Sequence, residues 1–142
     1  WEPFTSAEQA FARDIHKTLT TKKTLASATE VSEVKIGENG GGSTDVADIS
    51  WTVPTVGLGT AVWVPGTPAH SWQAVAASGS SYGMKGGVVA AKTLALTTAE
   101  LFRSPDVIAA AKAEFLKERG PDFKYQAMVG DRQPPLDYRK TD

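Results

Sequence analysis

Apolar residues near the N-terminus recur at the spacing of an amphipathic helix. They stand four positions apart between residues 7 and 19, so they fall on one face of a helix. These residues are Ala7, Phe11, Ile15 and Leu19. Thr5 with Glu8, or equally Ser6 with Gln9, each pair three positions apart, predicts a capping box at the start of this helix. His16 lies beside the apolar stripe rather than on it, so we expect an exposed or boundary side chain.

Two further helices are predicted in the second half of the chain. Residues 86–102 are apolar nearly all round apart from Lys92, a pattern typical of a buried helix. The next helix is expected to have Ser104 as its cap and Pro105 in its first turn, and to end at Gly120. Its expected buried face consists of Ile108, Ala111, Phe115 and Leu116.

Two stretches between these helices predict β-strands. Ile49, Trp51 and Val53 fall on one face of an extended chain until Pro54 interrupts the pattern. Residues 56–64 are apolar on much of both faces, as an inner strand would be. Strands followed by long helices predict a single α/β layered unit.

The length of 142 residues is enough for one domain with a hydrophobic core. We therefore expect one domain segment over residues 1–142, with a polar tail at 131–142. Because the chain opens with Trp1 rather than Met, we expect it to be a piece of a longer protein.

Composition and charge exclude several classes of function. A net charge of -1, from 15 basic and 16 acidic residues, gives no electrostatic footprint for nucleic acid. The absence of cysteine excludes disulfides, thiolate metal sites and a cysteine nucleophile. No apolar run approaches the roughly 20 residues that cross a bilayer, so we expect no membrane partner. From these features we expect a cytoplasmic protein.

Two short glycine-containing motifs invite a catalytic interpretation. Residues 79–83 match G-x-S-x-G, the nucleophile turn of α/β-hydrolases, but no histidine follows His70 to activate the serine. A helix-entry turn is therefore favoured there. Gly37 and Gly42 have the spacing of a phosphate-binding loop, yet Ser43 stands where that loop needs lysine. A flexible loop, or a mobile loop whose backbone approaches a ligand, remains open.

His70 is the candidate for chemistry. It follows the predicted inner strand, and Pro65 and Pro68 stiffen the approach to it. The neighbouring Ser71, Trp72 and Gln73 are expected to hydrogen-bond and to exclude solvent. Metal binding, proton transfer and simple packing all remain open, because a catalytic zinc needs about three protein ligands and the sequence offers no zinc motif.

A longer stretch carries a family resemblance. Residues 41–73, "GGSTDVADISWTVPTVGLGTAVWVPGTPAHSWQ", resemble the zinc aminopeptidase, aminoacylase and carboxypeptidase-G family, and within it the amidohydrolases that cleave p-aminobenzoyl-glutamate. The resemblance implies the C-terminal part of a three-layer α/β/α catalytic domain, without the lid and dimerisation domain. It also implies zinc-dependent hydrolysis of N-acyl amino acid or p-aminobenzoyl-glutamate-type amides, at a centre of two metal ions.

The resemblance assigns roles to a few residues. His70 would be a zinc ligand, and Gly42, Ser43, Thr44 and Asp45 would line the substrate pocket. The family's other metal ligands and its general base are missing, so we assign no catalytic residue and expect the chain alone to be inactive. Its expected partner is the remainder of the catalytic domain or another subunit, in a homo- or hetero-oligomer. The rival interpretation is a non-catalytic binding or assembly module that completes a partner chain.

Overall fold

The computed structural model describes residues 3–36, 44–137 and 139. Helices account for 52% of it. In chain order they are α1 Ser6–Lys17, a short 3-10 helix Leu25–Thr29, α2 Val46–Ser50, α3 Trp72–Ser78, α4 Ser81–Arg103 and α5 Pro105–Arg119. No helix within the described residues is long and apolar enough to cross a membrane.

The predicted three-layer α/β/α fold is wrong, because the described residues contain no strand. Val46 and Ile49 lie one helical turn apart, and this short apolar run forms α2 instead of a strand. Residues 54–62 form neither helix nor strand. An alternating pattern specifies a strand only where a neighbouring strand pairs with it, and the described chain provides none.

The chain forms two compact units. The first comprises Trp1–Gly40 and Gly57–Ser104, and the second comprises Gly41–Val56 and Pro105–Asp142. Each unit combines segments that are distant in sequence, so neither could be recognised from local patterns.

The core of the first unit forms where α1 meets α4. Its buried residues are Ala12, Ile15, Leu19, Val64 and Tyr82. The capping box predicted for α1 is confirmed: the Glu8 backbone N–H donates to Thr5 Oγ1 and the Thr5 N–H donates to Glu8 Oε2. His16 lies at the boundary as expected, with Nε2 2.9 Å from the Lys23 carbonyl oxygen.

Close packing of α4 depends on two glycines. A Cβ atom at Gly86 would lie 2.5 Å from the Ala61 carbonyl oxygen, and one at Gly83 would meet the Ala77 and Val62 carbonyls. Such contacts are too short for any real side chain. The two glycines therefore let the backbone of residues 61–62 lie directly against α4.

The second half of α4 differs from its prediction. The helix itself is confirmed, but the burial expected for residues 86–102 is wrong, because only Gly86 among them is buried. Beyond residue 90 nearly every side chain is exposed. Phe102 is 85% exposed and Leu96 is 73% exposed. A helix apolar on most sides normally lies inside a protein, so these turns present an uncovered apolar surface.

The prediction for α5 is confirmed in its extent but not in its burial. The helix starts at Pro105 and stops before Gly120, whose φ of 84° is the left-handed conformation that suits glycine. No residue of α5 is buried, although its expected inner face included Ile108 and Leu116. The Ser104 hydroxyl donates to a Glu100 carboxylate oxygen at 2.8 Å, instead of capping α5.

Candidate functional site

The turn that carries His70 is anchored in the core of the first unit. Val64 is 1% exposed and belongs to the core. Gly66 follows with a φ of 94°, and a Cβ atom there would overlap the Thr21 carbonyl. Only glycine fits this position without strain, so the turn is fixed on both sides of Pro65.

His70 itself occupies an unusual conformation. Its φ is 58°, the only positive φ of a non-glycine residue in the described part of the chain. Left-handed backbone costs an L-residue roughly 1–2 kcal/mol, and such strain clusters at functional sites. Ser71 then caps α3, since its side chain accepts from the Ala74 N–H at 3.2 Å. The rigid cap and the fixed turn together determine where the imidazole stands.

An open cleft of about 500 Å³ lies beside His70. Its wall consists of Trp63, Ser71, Ala74, Val75 and Ser78. Trp63 Nε1 donates to Ser78 Oγ at 2.8 Å, which fixes the indole at the rim. The cleft therefore offers an apolar wall with two hydroxyl groups and one imidazole.

The neighbours of His70 contribute differently from the sequence prediction. Trp72 is 60% exposed and does not line the cleft. The Gln73 amide donates to Thr18 Oγ1 at 3.3 Å, and so ties α3 to α1. The tryptophan that lines the cleft with His70 is Trp63, seven residues before it, and no sequence motif marked Trp63.

The donor set around His70 does not make a metal centre by itself. Within the described residues, no group of three or more His, Cys, Asp or Glu side chains could hold a metal ion. A zinc site needs three or four protein ligands. The described residues therefore do not fit a complete zinc site, and His70 could supply at most one nitrogen to such a centre. No described residue hydrogen-bonds to its ring, which leaves both nitrogens open.

The predicted substrate loop is only partly described. Gly42 and Ser43 lie outside the described residues, whereas Thr44 and Asp45 lie in the second unit at the start of α2. Thr44 Oγ1 accepts from the Val46 N–H at 3.3 Å, and the Asp45 carboxylate makes no capping bond to α2. Both side chains are exposed, and Thr44 Oγ1 donates to Asp45 Oδ1 at 3.4 Å.

The G-x-S-x-G motif forms a helix-entry turn, as favoured from the sequence. Ser80 caps α4: its hydroxyl donates to the Ala77 carbonyl at 2.7 Å and accepts from the Gly83 N–H at 3.4 Å. Helix α3 precedes the motif where a hydrolase nucleophile requires a strand. The motif is therefore structural.

The second unit contains a cluster that sequence reasoning missed. Trp51 stacks on Phe123 with ring centroids 4.8 Å apart. Arg119 lies over the rings of Phe115 and Phe123 and donates from Nη1 to the Trp51 carbonyl at 3.3 Å. The Trp51–Phe123 stack and the Arg119 hydrogen bond link the end of α5 to the segment after α2, and the cation–π contacts hold Arg119 in place. Trp51 and Arg119 are 68 positions apart, so no local signal could pair them.

Comparison with known proteins adds one relative. The chain is 33% identical over 123 residues to a subunit of p-aminobenzoyl-glutamate hydrolase from Escherichia coli (strain K12), in a match that covers 68% of this chain and 25% of that protein. The chain thus spans about a quarter of the length of the curated relative it matches. No family model matches the chain. No solved structure matches it significantly.

This similarity agrees with the amidohydrolase part of the resemblance that residues 41–73 carry. The wider zinc-peptidase family remains a prediction. The chain is a distant relative of a hydrolase subunit.

Proposed function

We propose that this chain is the His70-bearing segment of an amide hydrolase acting on N-acyl amino acids or p-aminobenzoyl-glutamate-type amides. The observation that carries the proposal is the turn before α3. It holds His70 exposed, with φ 58°, beside an open cleft. The 33% identity to a p-aminobenzoyl-glutamate hydrolase subunit supports the choice of reaction.

Different residues of the cleft would bind different parts of a substrate. Trp63 and Val75 give an apolar wall for the acyl part of a substrate, and Ser71 and Ser78 add hydroxyl groups. The imidazole of His70 would bind a polar atom at the mouth. The substrate-loop role of Gly42, Ser43, Thr44 and Asp45 is a separate part of the proposal and is supported by the resemblance alone.

Zinc enters this proposal only with ligands from outside the chain. His70 would provide one nitrogen donor, and the remaining ligands would belong to other polypeptide. Where zinc is bound in a hydrolase, it lowers the pKa of a bound water and polarises the carbonyl. The present residues would bind and orient the amide at the open cleft.

The proposed hydrolase therefore needs a partner. The relative is named as a subunit of an enzyme. We assign this chain the same kind of dependence, on the remainder of a catalytic domain or on a separate subunit. The uncovered apolar surface of α4 supports this assignment, because it offers an area that a partner would bury.

A chimera tests the proposal. The matching quarter of the E. coli hydrolase subunit is replaced by this chain, and the product is expressed with the other components of that enzyme. We expect an assembled chimera that hydrolyses p-aminobenzoyl-glutamate, measured by release of p-aminobenzoate. A chimera with the same insert in scrambled sequence is the control. An assembled, folded chimera without hydrolysis contradicts the proposal.

The second candidate function is a non-catalytic assembly module. The apolar turns of α4 beyond residue 90 favour it, because they point to docking whether or not chemistry follows. The same chimera separates the two functions. A module predicts assembly without hydrolysis, whereas the hydrolase segment predicts both.

A further inference from the structure

A second cavity lies in the first unit, between α1 and the 3-10 helix. Its volume is about 320 Å³, within the range of small-molecule sites. Apolar walls come from Phe4, Ala12 and Leu25, and polar groups come from Gln9, Arg13 and Tyr82. This cavity shares no residue with the cleft at His70, and the inference below does not rest on the proposed function.

Tyr82 places a hydroxyl group at the wall of this cavity. The residue is 2% exposed, and its ring stacks on Phe4 with centroids 4.3 Å apart. No described residue hydrogen-bonds to its hydroxyl. A phenol hydroxyl can donate one hydrogen bond, which leaves this group able to bind an acceptor in the cavity. Burial also raises the pKa of Tyr82, so the hydroxyl stays protonated and able to donate.

Arg13 brings an available positive charge to the same cavity. It is exposed and makes no hydrogen bond or ion pair with the described residues. The two acids on α1 have partners: Asp14 pairs with Lys17 at 2.8 Å and Glu8 pairs with Lys85 at 2.7 Å. The charge of Arg13 makes only the last of the contributions that lower the pKa of Asp14, after those of Lys17. A guanidinium group matches the geometry of a carboxylate, which it binds through two parallel hydrogen bonds.

We propose that this cavity binds a small monocarboxylic acid with an aromatic or branched apolar body. The apolar body packs against Phe4 and Leu25, and the carboxylate pairs with Arg13 at the rim. The Tyr82 hydroxyl donates to an acceptor atom of the ligand. Gln9 lies one helical turn before Arg13, where its amide extends the polar side of the cavity.

Benzoate and benzamide titrated into the full chain test this proposal, with binding followed by NMR shifts. They have the same shape but differ in charge. We expect saturable binding of benzoate and at least ten-fold weaker binding of benzamide. Arg13→Gln should lower the benzoate affinity at least ten-fold, to the level of benzamide. Arg103→Gln, which removes the same charge from an exposed position on α4, should change nothing.

Tyr82→Phe removes only the hydroxyl and should also weaken benzoate binding. Its fold is checked by circular dichroism; should it unfold, Arg13→Gln alone decides, because Arg13 is a surface residue. Equal affinities for benzoate and benzamide would overturn the proposal. So would unchanged benzoate binding in folded Arg13→Gln, or no saturation of the wild-type chain at millimolar benzoate.

Discussion

At the scale of single residues, Glu8 shows what spacing can and cannot predict. Its role in the capping box follows from its position three residues after Thr5. Its second partner, Lys85, lies 77 positions away, and no sequence pattern connects them. His70 shows the same limit of local patterns. The prolines predict its turn, but its positive φ and the position of Trp63 in the neighbouring cleft depend on tertiary packing.

The Glu8–Lys85 pair makes stability depend on pH. The hydrogen bond from Lys85 lowers the pKa of Glu8 from 4.5 to about 2, with a further contribution from Thr5. A lowered folded-state pKa stabilises the fold above the unfolded value, and that stabilisation is lost as the pH falls from 4.5 towards 2. We expect Glu8→Gln to lower the melting temperature at pH 7, with the difference from wild type shrinking over this window.

Asp14→Asn is the matched control, because Asp14 forms an exposed pair with Lys17. Exposed pairs contribute little, so its melting temperature should stay close to that of the wild type. Melting curves by circular dichroism at pH 7, 4 and 2.5 would check both variants. A Glu8→Gln difference that is constant across these pH values contradicts the role given to Lys85.

At the scale of elements, the long helices α1, α4 and α5 were predictable, whereas α2 lies where a strand was expected and α3 was not predicted. The bounds of α1 and α5 follow from local signals: a capping box at one start, a proline at the other, and a glycine at the end of α5. The segment at 56–64 has an inner-strand pattern, but a strand also needs a neighbour, which the described chain does not provide. Burial was wrongly predicted for α4 and α5 for a related reason. Periodicity shows which side chains share one face of a helix, but not whether another element covers that face.

Helix α4 offers a matched pair of glycines for a stability test. Gly86→Ala would force a Cβ atom to within 2.5 Å of the Ala61 carbonyl oxygen, whereas Gly87 has no atom within 4 Å of its Cβ position. We expect Gly86→Ala to destabilise by about 1–3 kcal/mol through overpacking. Gly87→Ala should stabilise by about 1 kcal/mol, because alanine is the better helix former.

Chemical denaturation of the two variants measures both values. Both variants add one methyl group, at adjacent positions of the same helix. The change in helix propensity is therefore the same for both, and the two values differ only through packing. Opposite signs are the expected result. Equal effects would contradict the direct packing of residues 61–62 on α4.

At the scale of the whole molecule, the chain buries unusually little surface. Its accessible surface is 11817 Å². A compact protein of 15.0 kDa exposes roughly 7000 Å², and two separate compact proteins of half that mass expose roughly 8500 Å². The excess therefore holds however the two units are arranged. Exposed apolar side chains such as Leu96 and Phe102 belong to this surface, where the proposed partner would bury them.

Phe102 tests whether this apolar surface serves docking rather than folding. Because Phe102 is 85% exposed, Phe102→Glu should leave the melting temperature of the isolated chain nearly unchanged. In the chimera, the same change should reduce assembly, measured by light scattering after size exclusion. Ala77→Glu is the control: Ala77 is 0% exposed, so a charge there should unfold the chain. A Phe102→Glu chain that unfolds as readily would contradict the docking role.

The central claim is that His70 belongs to the working site of an amide hydrolase. The direct measurement is kcat/KM for p-aminobenzoyl-glutamate in the chimera, with His70→Ala compared against His16→Ala. Only these two histidines occur in the chain, and His16 bonds to a loop carbonyl at 2.9 Å. We predict a loss of about 100-fold or more for His70→Ala and less than about three-fold for His16→Ala. Equal activity of the two variants would contradict the account.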